Sequence, residues 1–255
     1  MARIFITGST EGLGRAAALA LMAEKHEVVL HARSPERAAA VADIVGRSGG
    51  LVTGDLASAA ETRAIANQVN RIGLMDAVIH NAGIYLEARR GNTSEGHATT
   101  LAVNTLAPYM LTALIERPKR LIYLSSGMHR GDTSSLRDID WVERRWQASQ
   151  AYSESKLHVA TLACAVARRW PDVLSHSVDP GWVPTRMGGP AAPDDLEMGH
   201  LTQTWLATST DPAAMSTGHY WRHRRRQQPA ADVVDPGFQD RLMDKLAELT
   251  GIALF

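Results

Sequence analysis

The chain has 255 residues, 45% of them hydrophobic, and its 27 Lys+Arg balance its 27 Asp+Glu. That length suits one α/β domain with a sizeable core, and a formal charge of zero gives no electrostatic case for nucleic acid or an anionic membrane as the main partner. A single cysteine, Cys164, excludes an intrachain disulfide framework and fits a reducing, cytoplasmic setting.

A short apolar run, Arg3–Thr7, is expected as the first strand, so no secretory leader is expected ahead of it. The stretch Ala16–Ala23 is far too short to cross a bilayer. A helix is expected over Gly12–Glu24, a strand over Glu27–His31, a helix over Pro35–Val45 and a strand over Leu51–Thr53. Ser58–Arg71 reads as a helix with Ile65, Val69 and Ile72 on one face, and Met75–His80 as a strand. Asn92 and Glu95 offer a capping box for a long helix, Ser94–Ile115. Strand Arg120–Ser125, helix Tyr152–Arg169 and strand Leu174–Val178 follow. A last strand, Gly218–Trp221, precedes a helix with Phe238, Leu242, Leu246 and Leu249 on one face. Repetition of strand and helix implies parallel strands with crossover helices, hence one doubly wound domain over 1–255, of about seven strands.

Directly after the first strand, Thr7–Gly14 reads TGSTEGLG. In a doubly wound sheet, ligands sit beyond the carboxyl ends of the strands. Gly8 permits a tight turn there, and Gly12 and Gly14 let backbone approach a pyrophosphate at a helix N-terminus. The spacing is Gly-x3-Gly-x-Gly, not the Gly-x-Gly-x2-Gly of the standard dinucleotide fingerprint, so the turn alone is a weak signal.

Three later segments join it: HNAGIY (His80–Tyr85), LIYLSSG (Leu121–Gly127) and QAYSESK (Gln150–Lys156). With them the chain resembles the short-chain dehydrogenase/reductases over essentially its whole length. The resemblance implies a single Rossmann-type domain and an oxidoreductase acting between carbonyls and alcohols. It assigns Asn104, Ser126, Tyr152 and Lys156 to catalysis. It assigns the cofactor to Gly8, Ser9, Thr10, Gly12, Leu13 and Gly14 of the turn, to Asp55 and Leu56 beside the adenine, and to Asn81, Ala82 and Gly83. Tyr152 and Lys156 also border the cofactor, as do Pro180, Gly181, Val183 and Thr185 of DPGWVPT.

The chemistry is sensible on its own terms. Tyr152 and Lys156 stand four apart and share a helix face. A free phenol, with a pKa of about 10, is a poor proton shuttle near neutrality, and a neighbouring ammonium is expected to lower it. Tyr152 would then exchange a proton with the substrate oxygen, while Ser126 hydrogen-bonds it. By the family pattern Lys156 holds the nicotinamide ribose and Asn104 a water relay to the lysine.

The second strand ends in His31-Ala32-Arg33, without the acid that binds the ribose hydroxyls of NAD. Arg33, helped by Ser34 and Arg37, suits the 2′-phosphate of NADP, so NADP is expected ahead of NAD. Twenty-five residues separate Ser126 from Tyr152, a long gap like that of members resembling retinol dehydrogenases and protochlorophyllide reductases. This insertion, Gly127–Ala151, is either a surface excursion anchored by Trp141 and Trp146 or a wall of the substrate cleft. Val183–Leu196 is expected as a lid, Cys164 as core packing, and Arg222–Arg226 as a solvated tail or oligomer rim. No metal site is expected. The helices around Asn104 and Tyr152 resemble those that pair between subunits, implying a homodimer or tetramer. A catalytically silent NADP sensor or scaffold on the same fold is the alternative function.

Overall fold

Aliphatic and β-branched runs make the strands, because their side chains can fill both faces of a sheet that helices cover. The computed structural model describes residues 1–85, 88–130 and 136–255. In it, β1 (Arg3–Ile6), β2 (Glu27–Ala32), β3 (Gly50–Thr53), β4 (Ala77–His80), β5 (Arg120–Leu124), β6 (Leu174–Asp179) and β7 (His219–Arg222) run parallel in the order β3-β2-β1-β4-β5-β6-β7. An eighth strand, β8 (Arg225–Gln227), pairs antiparallel with β7. It exceeds the number expected and comes from the basic run itself. His223 and Arg224 take positive φ, 48° and 59°, in the two-residue turn that reverses the chain.

Six longer helices flank the sheet: α1 (Gly12–Ala23), α2 (Ala59–Ile72), α3 (Ala107–Leu114), α4 (Ala148–Arg169), α5 (Leu196–Thr208) and α6 (Pro236–Thr250). Alternate strand residues face opposite ways. Ile4, Ile6, Leu30, Ile79 and Ile122 share a core with residues of α1 and α5, and Phe5, Val29, Val78 and Leu121 share one with α2, α3, α4 and α6. No helix among the described residues is long and apolar enough to cross a membrane.

Three expectations need correction, and one helix was not expected. Pro35–Val45 is three short turns, Pro35–Ala38, Ala39–Val41 and Ala42–Val45, rather than one helix. Helix α5 had no apolar periodicity to announce it, because its buried face includes Gly199, Thr202, Gln203 and Thr204. The capping box at Asn92 and Glu95 does not form, since the helical segment starts at Thr99. Glu95 instead accepts a hydrogen bond from Ala59 N (2.9 Å), capping α2 together with Ser58. Finally, the segment leading into α3 contains a π-helical turn, Ala102–Leu106. Pro108 explains its position: lacking an N–H, it cannot donate to the Asn104 carbonyl four residues earlier.

The insertion is anchored rather than loose. Trp141 is buried, and its Nε1 donates to Glu154 of α4 at 3.0 Å. Arg144 pairs with both Glu154 (2.8 Å) and Asp138 (3.3 Å) and lies 3.8 Å over the Trp141 ring. Asp138 accepts backbone N–H bonds from Val142, Glu143 and Arg144. Residues 131–135 of the insertion lie outside the described ones.

The helices expected to pair between subunits also make contacts within the chain. Helix α6 packs on α4, Tyr109 of α3 donates to the carbonyl of Ile252 (2.8 Å), and Phe255 stands edge-on to Trp170.

Asp140 ties the insertion to the start of the Asn104 segment. It accepts from Ala98 N (2.6 Å), pairs with Arg90 (3.0 Å) and holds His97 at 2.5 Å. The hydrogen bond to Asp140 raises the His97 pKa above its ordinary 6.5. A raised histidine contributes stability that is present below 6.5 and lost as pH climbs through the folded-state value. Asp140→Asn should therefore cost on the order of 3 kcal/mol. The gap to the unmodified protein should narrow between about pH 6 and about pH 9, measured by denaturant unfolding at both; a constant gap would exclude the His97 contribution.

Candidate active site

The glycine turn leaves β1 with Gly8 at φ 63° and Gly12 at φ 54°, in the region that favours glycine. A side chain at Gly14 would run into the Gly8 carbonyl, so helix and turn meet backbone to backbone. Thr7 Oγ1 accepts from the backbone N–H of both Asn81 and Ala82 (3.0 Å each), and Asn81 Nδ2 donates to the carbonyls of Thr7 (2.9 Å) and Gly8 (3.2 Å). The Asn-Ala-Gly motif thus fastens the end of β4 to the turn.

Electrostatically, the turn is prepared for an anion. Ser34, Ser58, Asp195 and Asp235 each accept a backbone N–H at the start of their helices. Glu11, the N-cap of α1, makes no such bond. It turns instead to Arg37 (2.7 Å). The first turn of α1 keeps its backbone donors free of any side-chain cap, the arrangement that receives phosphate. The residues present therefore fit a dinucleotide.

One residue of this site escaped the sequence reading. His31, buried on β2, accepts from Gly8 N at Nδ1 (2.9 Å) and contacts the Gly54 carbonyl through Nε2 (2.9 Å). Nδ1 must then carry the lone pair and Nε2 the proton, and burial lowers the pKa, keeping the ring neutral. Ser9 Oγ accepts from His31 N (2.8 Å), so the Ser9 side chain faces inward. A polar residue directly after the apolar run Val28–Leu30 of the strand was the available signal.

Around the adenosine end, Arg33 is exposed with no ionic or hydrogen-bonded partner among the described residues. Ser34 caps a helical turn, accepting from Arg37 N (3.3 Å), and Arg37 is held by Glu11, so the expected helpers are engaged elsewhere. Asp55 turns one oxygen to Ala57 N (2.9 Å), and Leu56 is buried. Across the cleft a Cβ on Gly12 would lie 3.3 Å from Thr185, which brings the Pro180–Thr185 segment against the glycine turn. Val183 is buried; Thr10 is buried and Leu13 half-buried on the glycine side.

The reacting groups come together at the ends of β5 and β6. Ser126 lies near enough to the Tyr152 hydroxyl to oppose the rise of its pKa, and Ser126 Oγ accepts from Met128 N (3.2 Å). Tyr85 packs on Tyr152 with ring centroids 4.5 Å apart. Lys156 is buried, its Nζ 2.8 Å from the Leu124 carbonyl and 5.5 Å from the Tyr152 ring centroid. Asn104 accepts from Ile84 N (2.9 Å) and donates to Ile84 O and Ser155 Oγ (3.0 Å each). A Cβ on Gly83 would meet both Lys156 Nζ (3.2 Å) and Asn104 Oδ1 (3.4 Å), so all four predicted catalytic residues converge there or at Ser126.

The phenol differs from expectation. Burial pushes Tyr152 up to about 12, with Asp179 and Tyr85 adding to the rise and Ser126 opposing it. Lys156 does not lower it: burial brings the ammonium itself down to about 8. Desolvation outweighs charge attraction here because both groups are deep in the protein.

The family model for short chain dehydrogenase matches residues 2–130. The chain is 40% identical over 257 residues to the short-chain dehydrogenase chry4 of Gibberella zeae, covering 100% of this chain and 99% of that one. It is 26% identical to human retinol dehydrogenase 13, covering 98% of this chain and 84% of the relative. Its fold matches that of the carbonyl reductase Sniffer of Drosophila melanogaster with a TM-score of 0.69 at 21% identity, over 91% and 99% of the two chains. With Tyr152, the buried lysine and the uncapped glycine turn as described, the chain belongs to the short-chain dehydrogenase/reductase family, enzymes that act on carbonyl and alcohol groups, and resembles its retinol dehydrogenase-like members.

Proposed function

We propose that the protein transfers hydride between NADP(H) and a small carbonyl or alcohol substrate, with Tyr152 as general acid and base. The observation that carries this reading is Lys156 buried 5.5 Å from the Tyr152 ring centroid, with Ser126 beside the phenol. Bound NADPH supplies the hydride. The protein side of the reaction then follows from protonation states. A phenol held near 12 is fully protonated at neutral pH, the state needed to donate to a carbonyl oxygen. Ser126 already accepts from Met128 N, which leaves its own proton available to the same oxygen. Lys156, brought down to about 8, can exchange a proton near neutrality and so re-protonate Tyr152. The Asn104 carbonyl, deprived of its helical donor by Pro108, suits a water leading from Lys156 toward solvent. In the oxidation direction the same steps run backwards.

NADP preference rests on Arg33. A free guanidinium beside a strand end without an acid suits a 2′-phosphate, and Lys156 suits the nicotinamide ribose.

Tyr152→Phe keeps the ring and its packing on Tyr85. It should retain fold and NADPH binding while turnover drops by a factor on the order of 10²–10⁴. The measurement is NADPH oxidation over a carbonyl panel, with cofactor titration as control; near-normal turnover in the variant would reject Tyr152 as the acid, whereas NADPH binding without turnover in the unmodified protein would favour the sensor alternative.

Arg33→Ala should weaken NADPH binding by about 10- to 100-fold, the order of a charge-assisted contact. NADH binding should hardly change. Equal losses for the two cofactors, read by fluorescence titration, would remove Arg33 from the phosphate site.

A further inference from the structure

A buried carboxylate borders the reacting hydroxyls and has no part in the chemistry above. Asp179 closes β6 and is 6% exposed. Its Oδ1 accepts from Gly181 N at 3.0 Å, the bond that opens the Pro180–Gly181 turn. Oδ2 points toward the chain just past Ser126, where a Cβ on Gly127 would lie 3.2 Å from it. Among the described residues no hydrogen-bond donor meets Oδ2. Register places Asp179 beside Arg222 of β7, but that guanidinium reaches outward to Asp194 (3.4 Å). Lys156 is likewise directed elsewhere, to the Leu124 carbonyl.

The charge of Asp179 is felt by the groups around it. It adds to the rise of Tyr152 and of Tyr220, and it works against the burial that lowers His129. Ser126, Tyr85 and Lys156 are the other polar groups about Tyr152. Tyr220 is buried with its hydroxyl unpaired among the described residues, and Arg130 lies over its ring. A turn-forming role alone needs no charge, since asparagine makes the same bond to Gly181 N. Among the described residues Oδ2 is not one of the fully buried unpaired atoms, so it opens to the cleft, where a carboxylate oxygen takes a donor or a cation. Next to Ser126 and Tyr152, that donor can come from the substrate.

We propose that Asp179 determines substrate specificity: its free oxygen receives a protonated amine carried close to the reacting carbonyl, so that amino ketones are taken in preference to neutral ketones of the same shape. This rests on the reading that Ser126 and Tyr152 hold a carbonyl oxygen. The ammonium would also offset the negative charge facing Tyr152, easing ionisation of the phenol as its proton moves to the substrate.

Dimethylaminoacetone and methyl isobutyl ketone are isosteres that differ in charge at neutral pH. Calorimetric titration of the protein loaded with NADP+, in which reduction cannot proceed, should show the ammonium ketone binding about tenfold more tightly, the order of one charge-assisted hydrogen bond. In Asp179→Asn the ratio of the two affinities should fall to about one. Equal affinities in the unmodified protein, binding of neither ketone, or an unaltered ratio in the variant would each overturn the proposal. Should the variant not fold, salt decides: affinity for the ammonium ketone should fall with ionic strength while that for its isostere stays level, and parallel responses overturn it. Preferential binding without NADPH oxidation in the reduced complex would leave the role of Asp179 standing and reject the reductase reading. Oxidation with both ketones and no preference would do the reverse.

Discussion

The cleft depends on the junction of β1 and β4. Adjacent parallel strands whose connections leave in opposite directions must part at their carboxyl ends, and that parting is where a ligand can enter. Here it is bridged by Thr7, whose hydroxyl takes two backbone N–H groups from Asn81 and Ala82, and by the Asn81 amide returned to Thr7 and Gly8. The bridge leaves the strands apart and the backbone polar groups satisfied. It also sets the glycine turn at a fixed distance from Gly83, and through Gly83 from Lys156 and Asn104. The glycine turn and the Lys156–Asn104 side of the cleft are thus linked through short polar side chains.

Helix starts around the cleft are treated in two ways. Asp140, from the insertion, supplies the acceptor for the start of the Asn104 segment, and Glu95 supplies one for α2. Where α1 begins, no side chain does so. Donors at some starts are thus satisfied internally, while the starts of α1 and of α4 have no side-chain cap, and an open start such as that of α1 suits a phosphate. The ionic cluster of Asp138, Arg144 and Glu154 fixes the N-terminal turns of α4 from which Tyr152 and Lys156 project.

Much of this was legible in the sequence because it is local. The β-branched runs, the glycine spacing, Asn81–Gly83 and the Tyr152–Lys156 pair each lie within a few consecutive residues, and their order along the chain carries the topology. What stayed hidden depends on contacts far apart in sequence. Glu95 looked like the cap of its own helix because Asn92 stands three residues before it, yet its acceptor role lies across the molecule at Ala59. Helix α5 buries threonine, glutamine and glycine, so hydropathy gives it no period. His31 and Asp179 read as strand ends until neighbouring strands brought Gly8 and Gly127 to them. The phenol of Tyr152 went the other way from the local argument, since spacing shows that an ammonium is near but not how deeply both groups are buried.

The arginine-rich strand β8 has a consequence for colloidal behaviour. A protein whose isoelectric point is about 7.2 carries almost no net charge at neutral pH, so long-range repulsion does little to keep its molecules apart. An open sheet edge under those conditions is a template for the strand of another molecule. Here that edge is three residues long, fully exposed and made of Arg225, Arg226 and Gln227. The positive charge missing from the whole is concentrated where unwanted sheet extension would start. The edge protects itself by local repulsion.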